Sequence, residues 1–302
     1  MSKVTFEELL DAGCHFGHLR RKWNPAMAQY IFMEKNGIHI LDLNKTLVKL
    51  DEACAAAKQI SKSGRKILFV ATKKQAKETI AELAKSVNMP YVTERWPGGM
   101  LTNFFTIRKA VKKMSDIDKL MGSGQFDNLA KREKLQIQRE RAKLEKNLGS
   151  ISDLSRLPAA VFIVDILKEH IAVAEARRLN ITTFAMVDTN SNPNLIDFPV
   201  PANDDASKSI AVIVKALCAA IAEGAEERKL DKEAQNEEGS DEIVDIDITL
   251  EEEQSIVEKA TEVKGVKKIK DVASDEESAT KRKRIPAKKT PAKVPAKSPA
   301  KK

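Results

Sequence analysis

Three short, unbroken apolar runs set the terms for this chain: Lys66-Ile67-Leu68-Phe69-Val70-Ala71, Ala159-Ala160-Val161-Phe162-Ile163-Val164 and Thr182-Thr183-Phe184-Ala185-Met186-Val187. Each is short for a core helix and too evenly apolar for a strand with one wet face. Such strands belong inside a parallel sheet covered on both faces. Helical patterns alternate with them. Thr72 opens one through Ala76, Ile80, Leu83 and Ala84, and a second runs from about Glu169 to Leu179. A closing helix from Ala206 to Ala222 carries Ile210, Ile213, Val214, Leu217, Cys218 and Ile221. Pro90-Tyr91-Val92-Thr93 and Phe198-Pro199-Val200 add two brief strands. With right-handed crossovers this is a doubly wound α/β fold.

Upstream of the first run, Thr5-Phe6-Glu7-Glu8 is a capping box, and Phe6, Leu9 and Leu10 give the short helix behind it an apolar stripe. Gly13-Cys14-His15-Phe16-Gly17-His18 reads as a glycine-flanked loop. Arg20, Arg21 and Lys22 then stand beside Trp23. Cations next to an indole suit a phosphate-and-base surface through charge and stacking. They suit a solvated loop around a packed Trp equally well. Tyr30-Ile31-Phe32 and Ile38-His39-Ile40-Leu41 flank Asn36-Gly37, a hairpin signal. Asp42 or Asn44 caps a helix with Leu47, Leu50, Cys54, Ala57 and Ile60 at helical spacing, ending at Ser61-Lys62-Ser63-Gly64.

Residues 103–148 interrupt the alternation. The break is announced by Glu94-Arg95-Trp96-Pro97-Gly98-Gly99-Met100-Leu101-Thr102-Asn103. Pro97 disfavours α conformation at Trp96, and the glycine pair permits a sharp turn. Thr102 or Asn103 can cap the next helix. Taken alone, this stretch favours a structural elbow with a buried Trp. Ile107, Val111, Met114 and Met121 then share one helical face, Gly122-Ser123-Gly124 breaks it, and Ile137, Leu144 and Leu148 make a second stripe. The pattern predicts an antiparallel, coiled-coil-like helical hairpin. Residues 104–148 carry twelve basic and six acidic side chains. Arg108-Lys109 and Lys112-Lys113 repeat at i, i+4, so they share a face near the root, which points to phosphate contact.

Charge divides the rest. Residues 1–225 hold 34 basic and 25 acidic residues, 226–262 hold 4 and 15, and 264–302 hold 14 and 4. Blocks of alternating sign read as a basic folded body followed by two differently charged segments. The sequence therefore predicts an α/β core at 1–103 and 149–225, the inserted hairpin at 104–148, an acidic extension at 226–263 and a basic tail at 264–302. Ile243-Val244-Asp245-Ile246-Asp247-Ile248 is a candidate strand or docking peptide in the acidic part. The tail holds Lys281, Arg282, Lys283 and Arg284 and then four Pro-Ala-Lys or similar units. Such composition cannot bury a core and is expected to be disordered. Lys281–Arg284 fits a nuclear address or, more simply here, a nucleic-acid contact.

Cys14, Cys54 and Cys218 are far apart in apolar patterns, as buried thiols in a reducing compartment are. The N-terminal stretch shows no charged-then-apolar leader, and no run approaches a membrane span. A cytoplasmic protein without a membrane role is expected. Cys14, His15 and His18 lack a second pair at metal-ligand spacing, so no metal is expected. No Gly-rich phosphate loop follows Val70, where the turn is Ala71-Thr72-Lys73-Lys74-Gln75, and no Gly-x-Ser-x-Gly elbow exists. The alternative of an enzyme or sensor would rest on Asp165 and Asp188 at strand ends, with His170 or Thr189-Asn190-Ser191-Asn192.

Seven stretches in register carry a resemblance. They are Leu9 to His18, Lys22 to Met27, Asn36 to Thr46, Arg95 to Asn103, Leu157 to Asp165, Val187 to Pro193 and Ile196 to Ala206. Together they make the chain resemble the bacterial ribosomal protein S2 family across residues 5–224. The resemblance implies a flavodoxin-like sheet with an inserted coiled-coil hairpin, no catalysis and no cofactor. It implies a structural place at the head–body junction of the small subunit, against its rRNA and neighbouring ribosomal proteins. It also implies help in anchoring the OB-fold-repeat protein that gathers mRNA, an indirect mRNA link. The family motif assigns no residue-level rRNA contacts. The expected phosphate contacts come from charge alone: Arg20, Arg21, Lys22, Arg95, Arg108, Lys109, Lys112 and Lys113, with Trp23 packing or stacking.

Overall fold

The computed structural model describes residues 4–123 and 126–238. The expectations for Ile243–Ile248, for the Lys281–Arg284 cluster and for a disordered tail fall outside the described residues. Five parallel strands form the main sheet: β4 (Ile67–Val70), β5 (Tyr91–Val92), β6 (Ala160–Val164), β7 (Thr182–Val187) and β8 (Phe198–Pro201), in the order β5-β4-β6-β7-β8. Counted along the chain this is 2-1-3-4-5, the flavodoxin-like order of doubly wound sheets. The apolar runs sit where their composition requires. Every residue of β4 and β6 is buried. Their register aligns Phe69 with Phe162, Phe162 with Phe184, and Phe184 with Phe198. A row of rings thus crosses four strands, with centroids 5.5 Å apart at Phe69–Phe162 and 4.9 Å apart at Phe184–Phe198.

That row faces one core, with α2 (Leu43–Lys62), α3 (Lys74–Ser86) and α7 (Ser207–Glu238) packed over it. The alternate strand residues, Leu68, Val70, Val161, Ile163, Ala185 and Val187, face a second core with Trp96, Met100, Leu101 and α6 (His170–Arg178). The period-2 split of one apolar run between two cores is what burial on both faces means.

The N-terminal part forms a separate antiparallel sheet of β1 (Phe16–Leu19), β2 (Ile31–Lys35) and β3 (Ile38–Leu41), ordered β1-β3-β2. Asn36 and Gly37 take φ of 55° and 76°, the paired left-handed turn that their sequence predicts. β1 corrects the expectation of a loop at Gly13–His18. Its pairing partner β3 lies far along the chain, and Gly17 and His18 mask the strand pattern. Gly17 is required there, because a Cβ would sit 2.5 Å from Thr189 Cγ2 and 3.0 Å from the His39 carbonyl. The capping box opens α1 (Phe6–Asp11) as expected, and Asp42 caps α2 by accepting from the Asn44 N–H.

Two helix ends differ from expectation, the start of α3 at Lys74 rather than Thr72 and the end of α7. Thr72 does not cap α3; its hydroxyl and N–H donate to Glu169. α7 continues to Glu238, well beyond Ala222, where the apolar stripe ends. Lys58 and Lys62 of α2 pair with Glu227, and Lys62 also pairs with Asp231, so tertiary charge supports the extension. Gly224 lets the two helices touch, since its Cβ would lie 2.4 Å from the Lys58 carbonyl oxygen. Gly224→Ala gains helix propensity but must push α7 off a backbone atom. A net loss of about 1–3 kcal/mol, read as a lower urea midpoint, is the expected outcome; an unchanged or higher midpoint would contradict the close approach.

Candidate nucleic-acid interface

The inserted segment folds as α4 (Phe104–Met121) and α5 (Lys131–Leu148). Ile107, Ala110, Val111, Leu144 and Leu148 pack its root against the second core. Two cross-helix ion pairs, Lys113–Glu140 and Asp118–Arg141, tie the helices together farther along. The break falls at Gly122, as the sequence suggests.

What fixes the root is a carboxylate. Glu175 of α6 is buried, and its Oε1 accepts from Trp96 Nε1 at 3.2 Å and from the Gly99 N–H at 2.7 Å. Its Oε2 accepts from the N–H groups of Leu101 and Thr102, at 2.9 and 3.1 Å, and from the Thr102 hydroxyl at 3.3 Å. Gly99 reaches φ 87°, which turns its N–H inward. The Trp-Pro-Gly-Gly corner is therefore a nest of donors closed on an internal anion. Burial raises the carboxyl pKa, but the backbone N–H groups of Gly99, Leu101 and Thr102 outweigh it and hold Glu175 below its ordinary value. Thr102 is thus committed to Glu175. Asn103 is the N-cap of α4 without a side-chain bond to the helix backbone.

The sequence-predicted cations are exposed, in two groups. Arg108, Lys109 and Lys112 line one open groove of 520 Å³ at the root of α4. Arg108 Nη1 donates to the Ser155 carbonyl at 2.6 Å, and Lys109 Nζ lies 4.4 Å from the Phe105 ring centroid. Lys113 is turned to Glu140 instead. Arg95 is exposed in the corner beside buried Trp96. Arg20, Arg21 and Lys22 form a 3-10 turn after β1, with Arg20 paired to Glu34 at 3.3 Å. Trp23 packs on His39 at 5.3 Å between centroids while staying 38% exposed. Among the described residues, Arg21, Arg95 and Lys112 have no hydrogen-bond or ion-pair partner.

A second charged cluster lies at the carboxyl ends of β4, β6 and β7, where the strand order reverses. Lys73 Nζ sits 2.7 Å from Asp204 Oδ1, 2.6 Å from Asp205 Oδ1 and 3.4 Å from Asp165 Oδ2. Burial opposes its charge, yet these carboxylates hold the Lys73 pKa above normal. Asp204 is pushed up to about 7 by burial and by the charges of Asp188 and Asp165, against the pull of Lys73. His18 Nδ1 lies 2.8 Å from Asp188 Oδ2, and that contact raises the His18 pKa. The donor atoms of His18, Asp188 and Asp204 fall within 4.8 Å of one another, one nitrogen and two carboxylates of the kind divalent cations accept. Cys14 and His15 are not part of this group. Of the constellation weighed for an enzyme, His170 is not brought to Asp188, while Thr189 is. Asp188 faces His18 and Thr189, while His170 turns to the Leu167 carbonyl.

Sequence reasoning missed Lys73, Glu175 and Phe105. Lys73 had a signal, since polar residues just past strand ends gather at the switch point of an α/β sheet. Glu175 had none, because its partners lie seventy-odd residues away in sequence, as the 74-residue separation from Leu101 shows.

The fold and this site define an α/β protein with a basic helical insertion whose root is fixed by a buried carboxylate. Residues 9–224 match the family described as "Ribosomal protein S2". The chain is 70% identical over 232 residues to the small ribosomal subunit protein uS2 of Phocaeicola vulgatus, covering 77% of this chain and 83% of that protein. It is 69% identical over 232 residues to the uS2 of Porphyromonas gingivalis, with the same coverage. It is 67% identical over 237 residues to the uS2 of Azobacteroides pseudotrichonymphae, covering 78% and 90%. The chain belongs to the ribosomal protein S2 family, a structural and non-enzymatic family of ribosomal proteins. No helix among the described residues is long and apolar enough to cross a membrane.

The two carboxylate clusters make distinct predictions. Glu175→Gln turns an amide N–H₂ toward backbone donors and should cost about 1–3 kcal/mol at neutral pH. Because the folded-state pKa is depressed, the wild-type advantage is complete above the ordinary Glu range and is lost as pH falls through the folded value. Thermal melts of both proteins should therefore differ at pH 7 and converge in acid. Lys73→Met strands three carboxylates, one of them fully buried. A loss of at least about 3 kcal/mol in chemical denaturation is expected, far more than for Lys74→Met on the exposed side of the same helix.

Proposed function

We propose that this chain is a structural component of the small ribosomal subunit, held there by small-subunit rRNA and by neighbouring ribosomal proteins. The observation that carries the reading is the set of exposed cations at the root of α4, mounted beside a corner that Glu175 closes from within. Phosphate oxygens are the partner such a surface fits, and the corner fixes the backbone before any partner arrives. Arg20, Arg21 and Lys22 with Trp23, and Arg95 beside Trp96, are the further contacts in this reading, and α4–α5 acts as a coiled-coil arm. The place of the protein is the head–body junction, in the cytoplasm, where it also supports docking of the OB-fold-repeat protein that collects mRNA. The basic tail around Lys281–Arg284 adds a local RNA contact, and the acidic extension either docks on a basic ribosomal neighbour or folds back on the tail. Family membership and the geometry of the cations support this reading; the individual contacts are the proposal.

The test is sucrose-gradient fractionation of lysates at low and high salt. Near-complete co-migration with the small subunit at low salt is expected, weakening as salt rises through counterion release. Lys109→Glu with Lys112→Glu should shift the chain toward free fractions and make its salt dependence shallower. A chain that stays mostly free at both salt concentrations would refute the proposal.

A further inference from the structure

The groove at the root of α4 is more than a patch of charge. One wall is apolar, from Ile107 and Val111 of α4 to Ile151 and Leu154 beyond α5. Its rim carries Arg108, Lys109 and Lys112, and the lining includes no carboxylate. At its mouth stands Phe105, 70% exposed, a large aromatic ring in water at the first turn of a helix. The Lys109 ammonium already sits over that ring. A duplex backbone would use the cations but has no need of the ring or the apolar wall. An apolar peptide would use the wall but not three uncompensated cations. A single unpaired nucleotide uses all three, because its base stacks and fills, and its phosphates meet the rim. Ser115 and Ser152 also line the groove, the Ser152 hydroxyl donating to Asp153 Oδ1 at 3.2 Å.

We propose that this groove binds an unpaired nucleotide of RNA, with the base stacked on Phe105 and the flanking phosphates on Arg108, Lys109 and Lys112. This deepens the rRNA-binding reading above and rests on it. The choice of an unpaired base, rather than a duplex backbone, is what is new.

The experiment uses the full-length chain and a short single-stranded oligouridine carrying 5-iodouridine. Binding is followed by fluorescence anisotropy across a salt series, and photocrosslinks are mapped by mass spectrometry. Phe105→Ala should weaken binding about 5- to 150-fold, the range for loss of one stacked base, with the salt slope unchanged. Phe105→Tyr should restore it, and Phe105→Leu should not. Lys112→Ala should instead make the salt slope shallower by about 0.7. Crosslinks should fall on Phe105. Phe105 is exposed, so its variants keep the fold. If Phe105→Ala binds as the wild type while Lys112→Ala still changes the slope, the groove makes phosphate contacts only; the stacking proposal is then overturned and the rRNA reading stands. If neither variant changes binding, the groove is not a nucleotide site and the proposal is overturned, while the rRNA reading, which also rests on Arg20, Arg21, Lys22 and Arg95, is decided by the gradient. Crosslinks confined to other parts of the chain would also overturn the proposal, as would displacement of the oligonucleotide by an apolar peptide but not by RNA.

Discussion

A parallel sheet buried on both faces leaves charge nowhere to go but its strand ends. Every residue of β4 and β6 is inside, so the first polar side chains after each strand must find partners at the carboxyl edge. Here they find one another. Lys73, just past β4, meets Asp165, just past β6, and Asp204 and Asp205, just past β8. Asp188, just past β7, takes His18 from the small N-terminal sheet, and Thr189 accepts from His18 N–H through its hydroxyl. The Asn24 N–H reaches the Thr189 carbonyl at 2.8 Å. The same constraint that makes the strands apolar therefore docks the second sheet. In a nucleotide-binding sheet the switch point is left open for a ligand. In this chain protein charge fills it, with Lys73 held among Asp165, Asp204 and Asp205.

Much of this was legible in the sequence, and the reasons are local. β4, β6 and β7 announce themselves because burial on both faces removes polar residues from consecutive positions. The hairpin was legible because two adjacent left-handed residues demand Asn36-Gly37 or a close equivalent. The helix pair was legible from its apolar spacing and from Gly122. What stayed hidden depends on partners distant in the chain. β1 exists because β3 pairs with it, and no run of apolar residues marks it. Thr72 reads as the start of a helix until Glu169, 97 residues on, takes its hydroxyl. The last third of α7 looks like solvated charge, and its first turn meets Lys58 and Lys62 of α2, partners distant in the chain. The site divides the same way. Cations clustered at i, i+4 are visible in one dimension, but the carboxylate under the corner and the ring beside the cations are not.

The three-dimensional arrangement also sorts cations that look alike in sequence. Lys112 and Lys113 are neighbours, yet only Lys113 is spent on an ion pair across the helix pair. Such an exposed pair contributes little to stability. Arg108, Lys109 and Lys112 line the groove instead, as their spacing along α4 allows. Arg20 is likewise drawn to Glu34, while Arg21 is left to solvent. The surface that remains is smaller and more directional than a count of basic residues suggests.

Direction is where Glu175 matters most. Lysine side chains lose rotamer freedom whenever they grip a partner, and no scaffold avoids that cost. What a scaffold can remove is the cost of ordering the backbone beneath them. Gly98-Gly99 would otherwise be the loosest point between the core and the insertion, since glycine loses the most freedom on folding. Five donors from four residues closing on one buried carboxylate convert that loose point into a fixed one. An internal anion also keeps those donors from capturing an external one. The corner is shaped like a phosphate nest, but its own chain occupies it, and the exposed cations lie farther out, at the root of α4. The mounting of those exposed cations is thus set by a residue that is not one of them.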